Sequence, residues 1–148
     1  MRRILKKHYQ DLTREELYKL LRLRSEVFVV EQDCAYQDLD GLDNDAWHIW
    51  VEDERSQVLS YLRVFLSPEG EVHIGRVVTR KDQRNKGMGR MALMEGIRVA
   101  EERYPDHGIT LFAQTYATGF YLKAGFRITG EEFLEDGIPH VKMTLENT

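Results

Sequence analysis

The sequence predicts an α+β fold built on a mixed sheet. Three observations predict it. Short apolar runs mark strands, two longer stretches return to a helical period, and polar turns of four or five residues separate them. The resulting order is strand, helix, three strands, helix, strand, helix, two strands. The 148 residues suit one core, so a single domain over 1–148 is expected.

A first strand is expected at 3–9. Thr13 followed by Glu16 forms a capping box, in which hydroxyl and carboxylate each satisfy a backbone N–H, so a helix starts there. Leu17, Leu20, Leu21, Val27 and Phe28 continue it at near-helical spacing. Residues 31–46 are polar and Asp-rich, which reads as a loop or short helix. Strands are expected at 47–53 and 58–66, joined through Glu54-Arg55-Ser56-Gln57. Ser67-Pro68-Glu69-Gly70 then turns into a strand at 72–79. From 87 to 103 the period is helical again, with Leu93, Ile97 and Ala100 on one face and Met94 beside them. Tyr104-Pro105-Asp106-His107-Gly108 ends it. A strand at 109–114, a short helix at 119–124 and a hairpin of 126–133 with 140–145 complete the chain. Glu135-Asp136-Gly137-Ile138-Pro139 is its turn.

Composition narrows the function classes. Hydrophobic residues make up 42%, enough to fold without staples, and the lone Cys34 allows no intrachain disulfide. With 31% charged residues and a mean hydropathy of -0.50, no stretch reads as a membrane span. The basic start, Met1-Arg2-Arg3-Ile4-Leu5-Lys6-Lys7, lacks the long apolar core of a signal peptide. A cytoplasmic protein without a membrane partner is therefore expected. A net charge of -4 argues against nucleic acid. Asp33, Asp38, Asp40, Asp43, Asp45, Glu52, Asp53 and Glu54 crowd one stretch. They read either as turn and cap residues of a solvated loop or as a cation-attracting rim.

The most specific feature is Arg84-Asn85-Lys86-Gly87-Met88-Gly89-Arg90, between a strand and a helix. A helix start carries unpaired N–H groups and a partial positive charge, which suits phosphate. Gly87 and Gly89 let an anion reach the backbone, and Arg84, Lys86 and Arg90 add charge. The plainer reading is a turn with glycines. A P-loop is excluded because Lys86 precedes Gly87 and no hydroxyl residue follows. Gly87-Met88-Gly89-Arg90-Met91-Ala92 fits G-x-G-x-x-A as a string. A polar loop at 80–86 nevertheless separates it from the strand, and Asp106 sits in a turn, so a dinucleotide is disfavoured.

Arg84-x-x-Gly87-x-Gly89 opening a helix, followed by Phe120-Tyr121-Leu122-Lys123-Ala124-Gly125-Phe126, resembles the GNAT superfamily of N-acetyltransferases. Arg24-Ser25-Glu26-Val27-Phe28-Val29-Val30-Glu31-Gln32-Asp33-Cys34, then Tyr36, Asp40, Asp43 and His48, is similar to its ElaA-like branch. So are Gly75-Arg76-Val77 and Glu135-Asp136-Gly137-Ile138-Pro139-His140. The resemblance implies a mostly antiparallel mixed sheet of six to seven strands flanked by helices, with two central strands splayed. It also implies direct transfer of acetyl from acetyl-CoA to a small-molecule or protein amine. Val77, Val78 and Thr79 would pair with the pantetheine arm, and Arg84, Asn85, Lys86, Gly87, Met88, Gly89 and Arg90 would hold the pyrophosphate. Gln114 stands where many members carry Asn, and its amide would face the pantetheine or substrate. Tyr121 would be the general acid to the CoA thiolate. A homodimer through edge strands or the C-terminal hairpin also fits the family.

The general base is not named by any pattern. Glu31, His48 and His73 are candidates, and Arg76 either binds an acceptor carboxylate or pairs with a loop Asp. Cys34 could serve a ping-pong route, but no His or Asn spacing supports it, and a small buried side chain is the simpler reading. The five histidines show no close ligand pair, so no metal is expected. An acyl-homoserine-lactone synthase shares the fold and early spaced acids, and a CoA-sensing module would keep the fold without chemistry. The intact glycine loop and Tyr121 element favour the acetyltransferase over both.

Overall fold

A computed structural model describes residues 2–146. The strands are β1 (Arg3–His8), β2 (Trp47–Glu52), β3 (Val58–Leu66), β4 (Val72–Thr79), β5 (Ile109–Gln114), β6 (Arg127–Ile128), β7 (Phe133–Glu135) and β8 (Ile138–Leu145). The helices are α1 (Arg14–Arg24), α2 (Met88–Arg103) and α3 (Thr118–Lys123), and a π-helix at Ser25–Glu31 continues α1. The sheet order is β1-β2-β3-β4-β5-β8-β6, with β7 also paired to β8. Among the described residues only the β4–β5 contact is parallel.

The capping box forms as expected. The Thr13 hydroxyl accepts from the Glu16 N–H at 3.0 Å, and the Glu16 carboxylate accepts from the Thr13 N–H at 2.9 Å. Helix α1 then lays Leu20 and Leu23 on Trp50, Tyr61 and Val78, with Val27 of the π-helix alongside. Helix α2 covers the opposite face, where Leu93, Ile97 and Ala100 meet Ile49, Val51, Leu62 and Val64. Strands β2 and β3 are therefore buried on both faces, which explains their near-continuous apolar runs.

Two details differ from expectation. The sheet has eight strands rather than six or seven, because 126–133 does not form one strand. The pairing to β8 runs from Ile128↔Met143 to Phe133↔His140, five residues on one side against three on the other. The two extra residues bulge out at Thr129-Gly130-Glu131-Glu132, where charge and glycine suit solvent better than a ladder. The second difference is the π-helix. Its i→i+5 turns are too wide to show in a near-helical spacing.

The Asp-rich stretch is not a free acidic rim. Arg24, Arg63 and Arg76, from three elements, neutralise Asp38, Asp40 and Asp43. Arg24 is fully buried; its Nε donates to Asp38 at 3.0 Å and its Nη1 to Asp43 at 2.7 Å. Arg63 donates to Asp40 at 2.6 Å and to Asp43 at 2.9 Å. Asp53 behaves as a turn residue, accepting from the backbone of Arg55 and Gln57. Burial alone would raise the Asp40 and Asp43 carboxyls. The arginine hydrogen bonds outweigh it, holding Asp43 low and Asp40 at about 2. Depressed carboxyls stabilise the fold above their ordinary value and stop doing so as pH falls through the folded one. Stability is therefore expected to fall as pH drops from about 4 to about 2, which urea midpoints across that range would measure.

Candidate active site

The sheet opens at its centre. Strands β4 and β5 pair only at Val72↔Ile109 and His73↔Thr110, so from Ile74 and Leu111 onward a slot separates them. On its other edge β4 carries an extra residue, since Tyr61↔Val78 gives way to Arg63↔Gly75. Arg76 absorbs the bulge with a positive φ of 51°. A cleft follows the slot, lined by β4, β5, the end of the π-helix and the β7–β8 turn.

The backbone of β4 presents unequally to the slot. The Val78 carbonyl accepts the Ser60 hydroxyl, and the Arg80 N–H donates to Leu59, so both face β3. Alternation turns Val77 and Thr79 to the slot and Val78 away from it. The Thr79 carbonyl already accepts Arg84 Nε at 3.1 Å.

Beyond β4 the chain bends at Asn85 (φ 63°) and Gly87 (φ 85°) and enters α2 at Met88. No side chain caps this helix start. The position of a Cβ on Gly87 is open to 4 Å, while one on Gly89 would stand 3.1 Å from Thr79 Oγ1 and 3.5 Å from the Phe120 ring. Gly87 thus leaves an open, donor-rich concavity, and Gly89 lets the helix close on β4 and α3. The Met88 side chain is buried in the core, so only its backbone can serve a ligand. Lys86 and Arg90 form no ion pair among the described residues. Arg84 does: its Nη1 and Nη2 donate to the two Glu31 carboxylate oxygens at 2.5 and 2.8 Å. Those N–H groups hold the Glu31 carboxyl below its usual range.

Tyr121 lies on α3 at 7% exposure and lines the cleft. Its ring packs edge-on to Phe120 and Phe126. Its hydroxyl has no hydrogen-bond partner among the described residues, and burial raises its pKa, so the phenol stays protonated. Gln114 ends β5, where its amide exchanges hydrogen bonds of 3.4 Å with Gln32.

The remaining sequence candidates divide. Glu31 and Arg76 line the cleft. Arg76 Nε donates to Asp38 at 2.8 Å and its guanidinium lies over Tyr36, so it anchors the acidic loop to the β4 bulge. His48 does not belong to the cleft. It is 1% exposed; its Nδ1 meets the Tyr61 hydroxyl at 2.7 Å and its Nε2 the Asp43 carbonyl at 3.0 Å. The carbonyl can only accept, so Nε2 carries the hydrogen and Nδ1 accepts, leaving no nitrogen for a substrate. His73 stands behind the cleft, stacked between Phe65 and Phe112. Burial lowers the pKa of both histidines. Cys34 is half-buried at the cleft, its thiol donating to the Asp136 carbonyl at 3.7 Å, rather than a core residue. Gln32 and Tyr36 also line the cleft, and Asp38 joins its edge through Arg76; no sequence pattern marks the three as site residues.

The sequence model of the acetyltransferase (GNAT) domain matches residues 8–147. The chain belongs to the GNAT acetyltransferase family. This GNAT acyltransferase falls with the ElaA proteins. Escherichia coli ElaA is 38% identical over 145 residues, covering 94% of this chain and 93% of its own. The ElaA crystal structure superposes with a TM-score of 0.92 at 35% identity, covering 99% and 100% of the two chains. An acyl-CoA N-acyltransferase from Pseudomonas aeruginosa gives a TM-score of 0.90 at 41% identity over 97% and 99%. A Bacillus anthracis protein solved with acetyl coenzyme A shares the fold, with a TM-score of 0.59 at 20% identity over 68% and 62%. Among the described residues of this GNAT chain, no helix is long and apolar enough to cross a membrane, and no metal-holding group of His, Cys, Asp or Glu is present.

Proposed function

We propose that the protein is an acetyl-CoA-dependent N-acetyltransferase that moves acetyl directly to a primary amine of a small molecule or protein. The observation that carries this reading is the unpartnered Tyr121 hydroxyl in the cleft of the splayed strands, with the uncapped α2 start beside it. The residues present fit the cosubstrate. The open side of Gly87 and the free N–H groups of α2 suit a pyrophosphate, helped by Arg84, Lys86 and Arg90. Val77 and Thr79 offer slot-facing backbone to an amide-bearing arm, and Gln114 stands opposite. Bound there, acetyl-CoA would supply the acetyl group as an activated thioester.

As the amine nitrogen bonds the acetyl carbon and the C–S bond breaks, Tyr121 would give its proton to the departing sulfur, and the proton lost by the nitrogen would restore the phenol. Its raised pKa keeps that proton in place, and its buried ring keeps water from competing. The acceptor approaches from the end of the cleft formed by Cys34, Tyr36, Arg76 and the Glu135-Asp136 turn. Arg76 and the loop aspartates neutralise one another, which leaves this wall rigid rather than strongly charged. The cytoplasm, with its acetyl-CoA pool, is the matching compartment.

Incubation with acetyl-CoA and a panel of small amines and lysine peptides, reading free thiol, tests the reading. Thiol release that depends on the amine is expected. Tight CoA binding with no thiol released on any amine would favour a CoA sensor instead.

A further inference from the structure

The end of the π-helix straddles the mouth of the slot. Its last residue, Glu31, takes both terminal nitrogens of Arg84 on the β4 side. The next residue, Gln32, reaches Gln114 at the end of β5. Adjacent residues therefore bridge to both sides of one opening, and all four line the cleft.

Arg84 is the shared member of two demands. Its Nε is fixed on the Thr79 carbonyl, so the guanidinium cannot swing away, and Glu31 occupies the fork that remains. A phosphate and a carboxylate present the same paired oxygens to such a fork, so they compete for it. The phosphate reading brings more negative charge and also the N–H groups of α2, which Glu31 does not reach. Glu31 is accordingly the weaker claimant.

We propose that Glu31 is a cofactor-released carboxylate: it holds the Arg84 fork in the free protein, and the CoA pyrophosphate takes that fork and displaces it. The proposal rests on the CoA reading above. It gives Glu31 a role in the free protein, where it keeps the Arg84 fork ordered and paired until the cosubstrate arrives.

Calorimetric titration of CoA into the wild type, Glu31→Gln, Arg84→Gln and the double variant tests the exchange. Exposed pairs of this kind shift an equilibrium by up to about five-fold. Glu31→Gln is expected to tighten CoA binding by about two- to five-fold in the wild-type background and to change nothing in the Arg84→Gln background. Glu31→Asp, which keeps the competing charge, should stay nearer the wild type. An unchanged or weaker Kd for Glu31→Gln, or the same gain in both backgrounds, overturns the exchange. A wild type that fails to bind CoA overturns the cofactor reading itself, so the two failures are distinct.

Discussion

Replacing Tyr121 with phenylalanine is expected to lower kcat by about a hundred-fold while leaving CoA affinity within about two-fold, as general-acid removal does. The ring makes the packing contacts, with Phe120 and Phe126 edge-on to it, and phenylalanine preserves them. The hydroxyl makes no hydrogen bond that folding depends on, so its loss should leave the thermal midpoint nearly unchanged. What disappears is one proton at one place. The pH profile gives a second reading of the same group. Burial raises the phenol pKa, so the acid form persists through neutral and mildly alkaline pH. Wild-type kcat should therefore show no falling limb from Tyr121 below about pH 10. An unchanged kcat in the phenylalanine variant would remove the assignment.

The second large effect lies away from the chemistry. Arg24→Ala is expected to cost about 3–5 kcal/mol of folding stability, the range for breaking a buried ion pair by removing one partner. Arg24 has no exposed surface and contacts the Asp38 side chain, the Asp38 carbonyl and Asp43. Its removal leaves Asp43 with Arg63 alone and frees Asp38 from α1. Arg24→Lys should recover little, because one ammonium cannot span a side chain, a carbonyl and a second carboxylate at fixed geometry. Guanidinium midpoints for the two variants measure this. A loss below about 1 kcal/mol for Arg24→Ala would mean that the loop is held by Arg63 and Arg76 without it.

These two residues also show which parts of the fold can be read in a linear chain. Thr13 with Glu16, the apolar runs of β2 and β3, and Gly87 are legible in short stretches, whereas Gly89 answers to Thr79 and Phe120 elsewhere in the chain. The site is only half local. The glycine loop is contiguous, and Tyr121 sits in a contiguous motif. The far wall of the cleft is assembled from the π-helix, the acidic loop, the β4 bulge and the β7–β8 turn, so no spacing announces it. The aspartates illustrate the difficulty. Their composition fits either turn and cap residues or an open acidic rim, and neither shows the buried pairing, because Arg24, Arg63 and Arg76 lie 14, 20 and 38 residues from the carboxylates they meet. His48 meets a related limit. Nothing in its neighbours shows that Tyr61 and the Asp43 carbonyl take both ring nitrogens. The split of 126–133 into β6 and β7 turns on a two-residue shift against β8 that alternation alone does not reveal.

The π-helix has a consequence for how this chain can change. Seven consecutive residues in wide turns hold one more residue than an α-helix would need to cover the same arc. Deleting a single position within Ser25–Glu31 would let the segment relax to α-helical winding, at no loss of apolar pattern. Six α-helical residues would then sweep the arc that seven sweep here, so the residues beyond the deletion would keep their faces. With a position before Glu31 removed, Glu31 and Gln32 would still face the slot, close to Arg84 and Gln114. A one-codon deletion here would therefore be absorbed by the winding, where the same deletion inside α1 would turn every later residue of the helix by about 100°.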